Sequence, residues 1–297
     1  MMVKNFKEVR EFAKKKNNIK IAIAGAREEE INLAIRVKEE GIADFVLIGI
    51  ENQIKKMISD EGRNPFDYEV LNAENDVQAC AFAISLTKEG KVNMPMKGLL
   101  HTATFMKAVL NKEAGLDFKR RASQVTVFDD KSGKLKFLTD CAINVDQGVK
   151  IKKDIIENAV EIATSFGCTM PKVALLGAAE TVNLGIEDTL NSAILTQMNR
   201  RGQIKNCKVD GPLSLDNAID LEAAKHKGIE SSVAGMADIL VGASLGEANT
   251  LSKSLHYYAH FETASIIGGS KNPFIMTSRT DELENKINSI ASTILTL

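Results

Sequence analysis

The residues with the most usable chemistry stand near the carboxyl end. Ser278 and Arg279 set a hydroxyl beside a permanent cation whose planar fork of donors matches an oxyanion such as phosphate. They close the run Pro273-Phe274-Ile275-Met276-Thr277-Ser278-Arg279, which is apolar in the manner of a buried strand. A helical pattern from Asp281 to Leu297 follows directly and would hold the pair rigidly. Ligands of open α/β sheets bind outside the carboxyl ends of strands, so the pair is expected where an anion would arrive. A capped loop without a ligand is the plain alternative, and other stretches decide between them.

Lys97-Gly98-Leu99-Leu100-His101-Thr102 joins a short apolar run to a helix that continues through Lys107. Thr102 is expected as the N-cap, with Lys97 and Lys107 placing positive charge around the turn, a setting suited to a polyanion. A capped helix with a solvated Lys107 is the competing reading, and His101 is held in reserve. Gly242-Ala243-Ser244-Leu245-Gly246 matches G-x-S-x-G between a strand pattern, Asp238–Val241, and a helix, the context of a nucleophile elbow. The hydrolase order of serine, acid and histidine fails after Ser244, because His256 and His260 both precede Asp281 and lie on the next helix. A glycine-rich turn is therefore preferred there. Asp210-Gly211-Pro212 is a turn signal. Gly25 occupies the place of a dinucleotide fingerprint but has no G-x-G-x-x-G around it, and no P-loop pattern occurs, which disfavours nicotinamide dehydrogenases and P-loop NTPases.

The elements that must position these residues alternate. Runs rich in Val, Ile and Leu fall at 20–26, 45–49, 68–71, 125–128, 172–177, 238–241, 265–268 and 274–277, and several end in glycine. Runs apolar on both faces are the pattern of parallel strands covered on both sides. Amphipathic segments at 28–40, 54–60, 76–89, 154–166 and 251–261 lie between them. The fold class is α/β with two domains and mainly parallel sheets. Val125–Asp130 and Lys134–Thr139 read as a hairpin across Asp129–Gly133, an interruption that places a boundary near residue 122. Residues 1–122 and 269–297 are assigned to domain I and 123–268 to domain II, with the terminal helix returning to the first.

Composition narrows the function. Against 39 Asp and Glu the 297 residues carry 38 Lys and Arg, for a net charge of −1, so no nucleic-acid partner is expected and an anion site must be built locally. Cys80, Cys141, Cys168 and Cys207 are isolated from one another and from histidine, and are expected as buried reduced thiols rather than zinc ligands. The Lys-rich amphipathic pattern over 1–16 has no apolar signal core, and no run approaches the roughly eighteen apolar residues of a membrane span. A cytoplasmic protein with no metal and no membrane partner is expected.

Several stretches in one order are similar to the phosphate acetyl/butyryltransferase family, on the butyryl side. They read MKGLLHTATFMKAVLNKEAGL (96–116), LTDCAINVDQG (138–148), KDIIENAVEIATSFG (153–167), PKVALLGAAETVN (171–183), VDGPLSLDNAI (209–219), VAGMADIL (233–240) and TSR (277–279). The resemblance implies two α/β domains of isocitrate/isopropylmalate dehydrogenase-like architecture, with a cleft between them, in a homodimer or higher oligomer. It implies interconversion of a short-chain acyl-CoA plus phosphate with acyl phosphate plus CoA, with CoA as substrate and no cofactor. On this chain it assigns Ser278 to the reacting carbonyl or sulfur and Arg279 to phosphate, with Lys107 as a phosphate-binding cation; Thr102 and Lys97 at the helix start, and Asn249, are expected as further substrate contacts. The acetyl branch places a base seven residues after the serine; here that position is Asn285, so the base is left unassigned, with Asp281, Glu282, Glu284 or another group as the candidates. The family's Glu-Ala-Gly-Asn stretch reads Gly246-Glu247-Ala248-Asn249 here. That departure leaves open a weakly active CoA-binding paralogue, and the Ser244 hydrolase stands as the more distant alternative.

Overall fold

A computed structural model describes residues 2–297; Met1, which opens the expected amino-terminal helix pattern, lies outside the described residues. By contact the chain divides into two compact units. One comprises Lys7–Lys119 and Ala264–Leu297; the other joins the described residues up to Phe6 to Arg120–Thr263.

In the first unit, α1 (Phe6–Lys14) leads into β1 (Lys20–Ala24), α2 (Glu28–Glu39), β2 (Asp44–Gly49), α3 (Glu51–Asp60), β3 (Glu69–Asn72), α4 (Asp76–Lys88), β4 (Met94–Lys97) and α5 (Thr102–Val109). Its sheet runs β3-β2-β1-β4 with every pairing parallel. The central strands are buried almost throughout, as their unbroken apolar runs require. Helix α2 illustrates the local logic. Glu28, Glu29 and Glu30 sit in its first turn and Arg36 and Lys38 in its last, opposing the helix dipole, while Ile31, Leu33, Ala34 and Val37 go inward.

The second unit contains β5 (Phe118–Asp129), β6 (Leu135–Thr139), α6 (Val149–Ser165), β7 (Lys172–Leu176), α7 (Glu187–Arg200), β8 (Lys208–Leu213), α8 (Leu215–Ile219), α9 (Leu221–His226), β9 (Ile239–Val241) and α10 (Leu245–Tyr257). Its strands run β5-β6-β9-β7-β8. The expected hairpin is the antiparallel β5–β6 pair, and the remaining neighbours are parallel. Strand β10 (Thr263–Ser270) then carries the chain back to the first unit, which ends in α11 (Leu283–Leu295). The α/β class with two mostly parallel sheets is thus as the periodicity indicated.

Three local expectations are corrected. Asp210-Gly211-Pro212 is no turn: β8 runs straight through it, with an irregular register against β7. Pro212 is tolerated because β8 is an edge strand, and a Cβ on Gly211 would stand 2.7 Å from the Leu175 backbone oxygen. The run 274–277 is not a full strand. Ile275 alone bridges to β4, giving its N–H to the Pro95 carbonyl at 2.9 Å and taking the Lys97 N–H at 2.9 Å. Pro95 and Pro273 have no N–H to extend that ladder. The last helix starts at Leu283 rather than Asp281.

Among the described residues no helix is long and apolar enough to cross a membrane. All four cysteines are free and buried. Burial pushes the Cys80 and Cys207 thiols up to about 11 and Cys141 to about 12, far from thiolate reactivity.

Candidate active site

The site grows from the meeting of two strand ends. Gly25, after β1, adopts φ +73°, and a Cβ there would approach the Leu100 side chain to 2.9 Å. Gly98, after β4, gives its N–H to Ala24 O at 2.9 Å, and a Cβ on it would lie 2.5 Å from Gly25 O. Leu99 N–H follows onto Gly25 O at 3.0 Å. This close backbone contact, possible only with glycine at both places, fixes where α5 begins. The N-cap is His101 rather than Thr102, which takes the first helical position, and no side chain caps the helix. Thr104 and Phe105 N–H bond back to the His101 carbonyl, whereas the N–H groups of His101, Thr102 and Ala103 find no acceptor among the described residues. Such orphan donors at the positive end of a helix favour an anion.

Opposite that helix start lies the Thr277–Thr280 segment. Phe274, fully buried, packs against Phe105 with ring centroids 6.3 Å apart and edge-on against Phe118 at 6.2 Å, anchoring the chain just before it. The Asp281 carboxylate accepts the Ser278 N–H at 2.8 Å and the Asp281 N–H reaches Ser278 O at 3.3 Å, which closes the turn. Ser278 Oγ lies 3.0 Å from Thr280 Oγ1. Arg279 extends back across to α5's entry and donates from Nη2 to the Leu100 carbonyl at 3.2 Å. It makes no ion pair among the described residues, so its charge is unspent.

These two walls enclose one cavity, lined by Lys97, His101, Thr102 and Ala103 on one side and Thr277, Ser278 and Arg279 on the other. The Lys97 side chain is buried and donates from Nζ to the Gly98 carbonyl at 3.1 Å. Burial, and then the neighbouring Arg279 charge, pull its pKa below the usual lysine value, against an opposing pull from Glu30. The cavity combines two basic side chains, hydroxyls and free backbone N–H groups, and no carboxylate lines it. It is equipped to hold an oxyanion beside a polarisable carbonyl.

A family model described as "Phosphate acetyl/butaryl transferase" matches residues 66–294. The phosphate butyryltransferase of Clostridium acetobutylicum is 42% identical over 98% of this chain and 97% of its own length. The chain belongs to this family. The phosphate butyryltransferase of Clostridium beijerinckii is 41% identical over the same shares. Among solved structures, a branched-chain phosphotransacylase from Enterococcus faecalis V583 superposes with a TM-score of 0.81 at 30% identity, covering 94% of this chain and 98% of that one.

Of the residues expected at the site, Ser278, Arg279, Lys97 and Thr102 come together in the cavity. Lys107 does not join them. It is exposed on the α5 face shared with Thr104, Ala108 and Asn111, in a separate groove against Val77, Cys80 and Ile84 of α4. Asn249 lies in the other unit, where its amide donates to the Cys141 carbonyl at 2.9 Å. The three acids divide: Asp281 braces Ser278, Glu282 is the exposed N-cap of α11, and Glu284 pairs with Arg10 at 2.7 Å. Asn285 is buried in α11. Thr277, buried in the cavity wall, and His101 as N-cap were not assigned contacts from sequence. Their only signal was adjacency to the Ser-Arg pair and to the glycine turn.

Ser244 is a structural cap. Its Oγ accepts the Glu247 N–H at 3.2 Å, and the Glu247 carboxylate accepts the Ala243 N–H at 3.1 Å, so both side chains bind backbone donors at the start of α10. The hydrolase reading is thereby replaced. Ser244→Ala should cost about 0.5–2 kcal/mol of stability, read as a lower urea midpoint, and the native serine should resist a fluorophosphonate. Stoichiometric labelling of Ser244 would contradict this.

Proposed function

We propose that this protein transfers a short acyl group, butyryl or a branched relative, between the thiol of CoA and inorganic phosphate. The carrying observation is the cavity in which the unpaired Arg279 guanidinium faces the uncapped start of α5 beside the Ser278 hydroxyl. Phosphate takes the guanidinium fork and the helix-start N–H groups, replacing the single bond from Arg279 to Leu100 O. Ser278 Oγ donates to the thioester carbonyl oxygen, whose negative charge grows as a phosphate oxygen attacks the carbon. Holding both reactants against one wall supplies the orientation that an encounter between two anions lacks in water. Lys107, five residues or about 7.5 Å along the helix from Thr102, meets an anionic group of CoA away from the reacting centre.

The test is free-thiol release from acetyl-, propionyl-, butyryl-, isobutyryl- and valeryl-CoA, with and without phosphate. Phosphate-dependent release, fastest with a four- or five-carbon acyl group, is expected. Tight CoA binding by calorimetry with no turnover across the panel would replace the enzyme with a CoA-binding paralogue. The homodimer and the cytoplasmic setting belong to the same proposal. Sedimentation velocity checks the dimer.

A further inference from the structure

We propose that Lys97 is the acid–base group of the acyl transfer, its amine carrying one proton between phosphate oxygen and CoA sulfur. The inference rests on the acyltransferase reading above and adds the proton's path to it. The titratable side chains in the cavity wall are Lys97, His101 and Arg279. Arginine does not deprotonate in proteins. His101 is exposed at the helix cap, whereas Lys97 is buried at the end of β4, held there by its bond to the Gly98 carbonyl. Of the carboxylates expected to act as base, Asp281 holds the Ser278 N–H, Glu284 pairs with Arg10, and Glu282 stands at the N-cap of α11 outside the cavity lining.

The surroundings pull the amine's pKa down from the ordinary lysine value. Lys97 faces the cations Arg279 and Lys286 as well as the carboxyls of Glu30 and Asp281, with the Cys80 thiol on α4 also within its field. Lys286 is paired with Glu29 at 2.9 Å, and burial raises the pKa of Glu30, which weakens its claim as a counter-charge. Burial, and then Arg279, lower the lysine's pKa, which is the direction a general base requires.

The bookkeeping closes without a further reactant. To make acyl phosphate, the neutral amine takes the proton of HPO₄²⁻ as that oxygen bonds to the thioester carbon. The C–S bond then breaks with its pair on sulfur, and the ammonium returns the proton to give CoA thiol. In reverse the amine takes the thiol proton, sulfur bonds to the acyl carbon, the C–O bond breaks toward phosphate, and the leaving phosphate is reprotonated. The amine starts and ends neutral in both directions, so both should slow as pH falls through its pKa.

Two measurements decide it. Competitive labelling of the wild-type protein with acetic anhydride across pH, read by peptide mass spectrometry, should show Lys97 titrating below the surface lysines, with added phosphate raising its pKa. This readout needs no turnover, so it stands even if the acyltransferase reading fails. Lys97→Arg fixes a positive charge at this position and cannot release the proton. It should lower kcat by about 10²–10⁴, leave the phosphate KM within about threefold, and abolish the acidic limb of the pH–rate profile. Lys97→Met, checked by circular dichroism, covers an arginine variant that fails to fold and should lose the same limb. Lys97 titrating with the surface lysines, or a limb that survives Lys97→Arg and disappears in His101→Gln or Asp281→Asn, would overturn the proposal.

Discussion

Arg279→Ala is expected to abolish efficient use of phosphate while the protein stays folded. The guanidinium's one intramolecular hydrogen bond is to the Leu100 carbonyl, and the residue is exposed, so truncation removes little that stabilises the fold. What it removes is the fixed fork aimed at the anion. Truncating one partner of a hydrogen-bonded charge pair costs about 2–4 kcal/mol, or about 30- to 1000-fold in kcat/KM for phosphate. The loss should appear chiefly in the phosphate KM, because phosphate contacts exist before the transition state. Arg279→Lys should recover only part of it, since a point charge lacks the bidentate fork. Steady-state kinetics with phosphate as the varied substrate measure both variants. An unchanged phosphate KM in Arg279→Ala would remove the residue from this role.

The largest effect on stability is expected at Asp140, in the other unit. Its carboxylate is fully buried and accepts the backbone N–H groups of Gln124, Ala142, Ile143 and Asn144 together with the Asn144 side-chain amide. Asp140→Ala strands all of those donors in a site that water does not reach. Removing one partner from a buried charged network costs about 3–5 kcal/mol, a large share of the total stability of an ordinary domain. Asp140→Asn should be nearly as damaging, because one oxygen becomes an NH₂ facing N–H groups. Urea unfolding followed by circular dichroism should show a strongly lowered midpoint for both variants; an unfolding free energy within about 0.5 kcal/mol of wild type would contradict this account.

The parallel strands were legible because they are buried on both faces and therefore spelled as unbroken apolar runs; β1, β2 and β7 are found where those runs lie. The hairpin was legible for a different reason, its Asp-Lys-Ser-Gly turn between two strand-like runs. Elements whose form depends on partners were not. Nothing local shows that 274–277 pairs through Ile275 alone, or that Asp210-Gly211-Pro212 extends an edge strand, because both depend on which donors the neighbouring strand offers. Site legibility followed the same division. Ser278 and Arg279 could be picked out as a motif, and Thr102 and Lys97 by closeness to a glycine turn. That Lys107 looks onto another face of α5, and that Glu284 is held by Arg10 from the far end of the chain, are facts of packing. Ser244 shows the reverse error, a motif whose residues are fully accounted for by a helix cap.

The central claim is that Arg279 grips phosphate against the start of α5 with Ser278 turned to the acyl carbon. A crystal structure with phosphate and a non-hydrolysable butyryl-CoA analogue tests it most directly. The account predicts phosphate within hydrogen-bonding distance of the guanidinium and of the Thr102 or Ala103 N–H, with the carbonyl oxygen on Ser278 Oγ. Phosphate bound elsewhere, with Arg279 still on the Leu100 carbonyl while the analogue occupies its site, would contradict it.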